Sequence, residues 1–178
     1  MATYSMPKWR QRFLDLAEHI ATWSYDPRTK VGAVIVDSKK RIVGTGYNGF
    51  PRGVKDLAER YEDRETKLKF VCHAERNAID NAPMSVEGCT MYITLPPCNE
   101  CAKSIIQSGI YKVVTKKHNR EDTFDWLIAE QMFKEAGVQL FIADESNKYT
   151  HGQQTTPASE HDSVGETRKS LGDDGRDG

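Results

Sequence analysis

Residues 72–101 read CHAERNAIDNAPMSVEGCTMYITLPPCNEC. Ala74 to Ala82 is a run of good helix formers ahead of Pro83, which predicts a helix over about His73 to Asn81. Pro83 to Gly88 holds turn residues, and Cys89 to Leu95 is rich in strand formers. Pro97 then suits a helix start, because it fixes φ and lacks only an amide hydrogen that has no partner there. That helix is expected over Pro97 to Ser108 and stops at Gly109. Helix, strand and helix within thirty residues is the unit of a layered α/β domain.

Working outward, the same rhythm continues on both sides. Tyr111 to Thr115 and Val138 to Ile142 read as strands, separated by a helix over Thr123 to Ala136 that stops at Gly137. On the N-terminal side, Pro7 to Trp23 places Trp9, Phe13, Leu16, Ala17, Ile20 and Ala21 on one helical face. Val31 to Val36 is a β-branched run, Asp37 to Lys40 a turn, and Arg41 to Tyr47 a second extended stretch, together a hairpin. The expectation is an α/β/α sandwich with a five-stranded mixed sheet. Asn48 to Val71 breaks this rhythm with a dense mixture of charges and reads either as a functional loop or lid, or as a solvated excursion.

The 178 residues suit one compact domain, placed at 1–142. Residues 143–178 carry eight acidic and four basic side chains and almost no large apolar ones, so they are expected to be either a mobile acidic tail or an arm ordering on another subunit. No stretch approaches the roughly 18 to 20 apolar residues of a membrane span, and Met1 to Trp9 has no secretory pattern, so neither membrane nor export is expected. A net charge of −1 argues against a general grip on nucleic acid. Four cysteines without a secretory signal point to a reducing, cytoplasmic compartment and to metal binding or burial.

Cys98 and Cys101, three apart in a first helical turn, bring their sulfurs to one side, and a helix N-terminus favours the thiolate that zinc requires. His73 is the third candidate ligand. Residues two apart in mid-helix point in opposing directions, so His73 and Glu75 can share a site only at a helix entrance. The 22 residues between Glu75 and Cys98 suffice to finish one helix, turn, run a strand and reach the next helix start, so two helix entrances are expected to face each other across one metal. The alternative is a closed structural site with Cys72 as a fourth ligand. Cys72 and Cys89 otherwise read as small buried side chains, with a second metal left open.

His-x-Glu followed by Pro-Cys-x-x-Cys is the general signature of zinc nucleobase deaminases. In that setting three protein ligands leave a fourth position for water, and Glu75 is the proton carrier rather than a ligand. Asp26-Pro27-Arg28-Thr29-Lys30-Val31-Gly32-Ala33, Gly44-Thr45-Gly46-Tyr47-Asn48-Gly49, Cys72 to Ile79 and Pro97 to Ala102 together resemble the deoxycytidylate (dCMP) deaminase family, from about Trp9 to Ile142. The resemblance implies a cytidine-deaminase-like fold, conversion of dCMP to dUMP, zinc on His73, Cys98 and Cys101, and a homohexamer. It also implies activation by dCTP and inhibition by dTTP, with Mg²⁺ accompanying the regulatory nucleotide.

By position, Asn48 matches a residue that holds the deoxyribose hydroxyl; read alone, it is also a turn residue tolerant of left-handed backbone. Arg28 falls where a guanidinium grips phosphate, or else is a surface charge, and Ser24 adds a hydroxyl to the same phosphate. Ala74 is placed against the substrate. Arg120 stands where many members carry a tyrosine, within the basic run Lys116 to Arg120. That departure suggests room for dCTP beside dCMP; as a plain strand end, the same run is only solvated charge. A polynucleotide deaminase and a silent nucleotide-binding zinc module are the competing readings.

Overall fold

A computed structural model describes residues 8–118 and 123–143. These form α1 (Lys8–Ala21), β1 (Gly32–Val36), β2 (Ile42–Tyr47), α2 (Ala58–Glu62), α3 (Arg64–Phe70) and α4 (Ala74–Asp80), then β3 (Thr90–Ile93), α5 (Asn99–Gln107), β4 (Lys112–Lys116), α6 (Phe124–Glu135) and β5 (Gln139–Ala143). The strands make one sheet in the order β2-β1-β3-β4-β5. β1 runs antiparallel to β2 and β3, whereas β3, β4 and β5 are parallel, so the sheet is mixed.

The two-sided core follows from the alternation of side chains along each strand. Val34, Val36, Tyr92 and Val114 face one way and bury Phe13, Leu14, Ala17 and Ile20 of α1. Ala33, Ile35, Met91, Ile93 and Val113 face the other way, against Ala74 and Ala78 of α4, Ala102 and Ile105 of α5, and Ala129 and Phe133 of α6. Helices therefore cover both faces of the sheet, as expected. None of the described helices is long and apolar enough to cross a membrane. Residues 144–178, which hold nearly all of the expected tail, lie outside the described residues.

Two expectations are corrected. Trp9 is 42% exposed rather than in the core: it lies one turn before Phe13, stacks on it at 5.7 Å, and carries Arg12 and Lys40 over its indole. The segment 48–71 is not wholly irregular, because it contains α2 and α3. Asp63 caps α3 by accepting the Thr66 amide at 2.9 Å, and Phe50 stacks on Tyr61 at 4.2 Å, which gives the segment a small aromatic centre. Gly109 and Gly137 stop α5 and α6 with φ of 75° and 71°, a conformation that favours glycine.

Gly46 sets the spacing between β2 and α4. A Cβ there would stand 2.3 Å from the Ala78 amide nitrogen and 2.4 Å from the Ala74 carbonyl oxygen. Both are backbone atoms, so the whole helix would have to move. Gly46→Ala is expected to destabilise the fold by about 3 kcal/mol, at the upper end of overpacking costs. A chemical denaturation midpoint equal to wild type would contradict this.

Candidate active site

His73 and Cys98 are the N-cap residues of α4 and α5, both in extended conformation, and neither side chain caps its own helix. Cys101 lies one turn into α5. The His73 Nδ1 is 3.5 Å from the Cys98 sulfur and 3.3 Å from the Cys101 sulfur. All three ligand atoms lie within 4.8 Å of one another. Zinc bonded tetrahedrally to one imidazole nitrogen and two sulfurs at ordinary lengths separates nitrogen from sulfur by about 3.5 Å. The donor set and its spacing therefore fit a zinc ion. Two side-chain ties hold the helix entrances in place: Arg76 Nη1 donates to Ser104 Oγ at 2.9 Å between α4 and α5, and Asn77 Nδ2 donates to the Tyr47 carbonyl at 2.7 Å.

The two thiols share a hydrogen bond. The Cys98 thiol is held well below its ordinary range, chiefly by that bond with Cys101 and further by His73, against the opposing effect of burial. Cys101 is pushed far up by the same bond, by burial and by Glu75. The pair thus keeps one proton that a metal must displace. Glu75, in the first turn of α4, is 4% exposed. Burial raises its carboxyl from an ordinary 4.5 to about 7, with His73 and its own backbone amide opposing. A carboxyl poised near neutrality suits proton transfer in both directions.

A cleft of about 210 Å³ opens beside this group, lined among others by His73, Ala74, Glu75, Cys98, Asn48 and Arg28. His73, Glu75, Cys98, Ala74, Asn48 and Arg28 thus share one cavity. Arg28 is exposed at its rim and donates through Nη2 to the Glu62 carbonyl at 3.1 Å. Ser24 is placed otherwise: it is buried, donates to the Asn48 carbonyl at 2.7 Å, accepts the Asp26 amide at 3.2 Å and does not line the cleft. Arg120 lies outside the described residues. Cys72 is half-buried in a bridge with Gly49, and Cys89 is buried; neither joins a metal-holding group among the described residues. Cys72 precedes His73 on extended backbone, where neighbouring side chains point apart.

The sequence reading gave no role to Asp26, Lys67, Arg64 and Thr29, which also line the cleft. Asp26 was within reach of it: Asp-Pro-x-Thr is a turn in which the carboxylate takes the amides two and three residues on, as the Arg28 and Thr29 amides do here at 2.9 and 3.1 Å. Lys67 carried no signal, since its burial depends on how α3 docks.

Known proteins complete the picture. Residues 7–117 match the family model described as the cytidine and deoxycytidylate deaminase zinc-binding region. The chain is 45% identical over 139 residues to human deoxycytidylate deaminase, covering 74% of this chain and 77% of that protein. It is 42% identical over 137 residues to an uncharacterized deaminase of Aliivibrio fischeri, covering 75% and 92%. The crystal structure of dCMP deaminase from the cyanophage S-TIM5 in complex with dCMP and dUMP superposes with a TM-score of 0.64 at 27% identity, over 78% of this chain and 98% of that one. A family match over more than half of the chain joins the His-Cys-Cys group and the buried glutamate in one conclusion: this chain belongs to the cytidine and deoxycytidylate deaminases, and it is a hydrolytic deaminase.

Proposed function

We propose that the chain deaminates dCMP to dUMP, with His73, Cys98 and Cys101 holding zinc and Glu75 moving the protons. The observation that carries this reading is the make-up of the cleft. His73, Cys98 and Glu75 line it together with Asn48 and the guanidinium-bearing Arg28 and Arg64. A nucleoside monophosphate offers a partner for each: an amine-bearing base for the metal group and Glu75, a sugar hydroxyl for Asn48 and a phosphate for the guanidinium groups. The dCMP and dUMP carried by the cyanophage relative agree with it.

When bound, zinc supplies a water acidified towards neutrality. Glu75 takes a proton from that water and passes it to the ring nitrogen beside the amine-bearing carbon, then takes the remaining proton of the added hydroxyl and delivers it to the departing ammonia. Ala74, fully buried at the first position of α4, brings the backbone close to the base. Asn48 accepts from the sugar hydroxyl through the free lone pair of Oδ1, and Arg28 grips the phosphate. The net change is amine to carbonyl.

We extend the reading to activation by dCTP and inhibition by dTTP with Mg²⁺, to a homohexamer in the cytoplasm, and to a single domain at 1–142 with residues 143–178 as an appendage. Family resemblance alone supports the regulation and the assembly. Acceptance of dCTP as a second substrate is favoured by a second exposed guanidinium, that of Arg64, which lines the cleft as Arg28 does.

An ammonia-release assay tests the reaction, its substrate and its regulation. Turnover of dCMP is expected, responsive to dCTP and dTTP, with none on tRNA or single-stranded DNA. Absence of dCMP turnover in zinc-replete protein would reject the reading, and undetectable dCTP turnover at high enzyme concentration would remove the second substrate.

A further inference from the structure

Four of the six buried polar side chains among the described residues form one cluster, Ser24, Asp26, Asn48 and Lys67, of which the last three line the cleft. Asp26 is 1% and Lys67 8% exposed, and Lys67 Nζ donates to Asp26 Oδ2 at 2.9 Å. The other carboxylate oxygen, Oδ1, accepts the amides of Arg28 and Thr29. Burial by itself would raise the Asp26 carboxyl, but the hydrogen bonds from Lys67 and from those two amides outweigh it and hold it below the usual range.

Asn48, 6% exposed, is bound into the same cluster. Its Oδ1 accepts the Val31 amide at 2.7 Å, and its Nδ2 donates to the Thr29 carbonyl at 2.9 Å. The second Nδ2 hydrogen points to Asp26 Oδ2 at 3.5 Å, the oxygen that Lys67 also holds. With both amide hydrogens taken, Asn48 has one orientation, which leaves a single Oδ1 lone pair for a ligand.

We propose that the buried Asp26–Lys67 pair is a positioning device for the nucleotide sugar: Lys67, from α3, fixes the Asp26 carboxylate, and this carboxylate fixes the amide orientation of Asn48 and the turn that carries Arg28. Lys67 acts through Asp26 and Asn48, so it is a positioning residue. It links the 48–71 segment to recognition of a 3′-hydroxyl-bearing cytosine nucleotide. The inference rests on the proposed dCMP reading.

Lys67→Met leaves a buried carboxylate without its cation and endangers folding. The informative variant is therefore the neutral double substitution Asp26→Asn/Lys67→Met. An Asn at 26 that keeps its oxygen on the Arg28 and Thr29 amides turns its NH₂ towards the NH₂ of Asn48, which forces Asn48 to reorient. In the zinc-loaded enzyme, KM for dCMP is expected to rise about tenfold, the equivalent of one charge-assisted hydrogen bond, with kcat within about threefold of wild type. Zinc content should stay at wild-type level. Wild type should prefer dCMP to 2′,3′-dideoxycytidine monophosphate, and the double variant should lose most of that preference, whereas Lys67→Arg should retain it. A merely structural role would not alter discrimination between two nucleotides differing by one hydroxyl. Normal wild-type turnover with unchanged discrimination in the double variant would overturn the positioning role alone. Absent wild-type turnover of dCMP would remove the substrate reading and this inference with it.

Discussion

Glu75→Gln is expected to lower kcat about 10⁴-fold, the upper end of what one general acid-base group contributes, because the same carboxyl serves every proton transfer in the reaction. Gln has nearly the same shape and cannot accept and return a proton, so zinc content and fold should be unchanged. Metal analysis and single-turnover kinetics on the same preparation check this, and retention of more than about a tenth of the wild-type rate would exclude Glu75 from proton transfer.

The variant also has a pH signature in metal-free protein. The Glu75 carboxyl is raised from 4.5 to about 7 by burial, so between those values the unfolded chain loses its proton while the folded chain keeps it. Stability therefore falls as pH rises through this window and is lowest above it, where the folded state carries the full cost of a buried carboxylate. At about 1.4 kcal/mol per pH unit, that cost is about 3 kcal/mol. Glu75→Gln should accordingly unfold at higher denaturant than wild type at pH 8 and converge with it near pH 4. Parallel curves across the whole range would show that burial does not perturb Glu75.

Loss of a ligand is the second large effect. Cys98→Ala, Cys101→Ala and His73→Ala should each reduce bound zinc from one equivalent to a small fraction, with activity falling in proportion. The affinity loss should exceed the roughly 10- to 100-fold that accompanies removal of an outer hydrogen-bond partner of a ligand. Cys72→Ala should keep its metal and its rate, because Cys72 stands outside the group that His73 forms with the two sulfurs. Stoichiometric zinc in a Cys98→Ala/Cys101→Ala double variant would place the metal elsewhere. Because Cys98 and Cys101 share a proton, zinc uptake should also release acid, measurable as buffer-dependent heat in calorimetry.

Much of this was legible in the sequence because the relevant constraints are local. Pro97 before Cys-x-x-Cys, helix formers after His73 and glycines at 109 and 137 each mark an element edge through backbone geometry, and the metal site is assembled at two such edges. The alternation of helical and strand stretches along the chain likewise pointed to a layered sheet with helices on both faces. Partners set by tertiary docking were not legible. Trp9 fits the apolar face of α1 by period, yet it sits at the helix end, where no strand covers it. Lys67 looks like any cation in a charged insertion until α3 brings it onto Asp26. Ser24 was placed at the phosphate by position in the resemblance, and the sequence held no sign that its hydroxyl would bridge the Asn48 carbonyl and the Asp26 amide.

Among the described elements, α2 and α3 pack on each other and on no other helix or strand; Lys67, the Arg28–Glu62 contact and the ring of Phe50 fasten them to the body. One wall of the cleft is therefore an exchangeable panel. Replacing it with a shorter or longer counterpart would reshape the entrance for a different leaving-group bearer, while the helices that hold the metal keep their seats on the sheet.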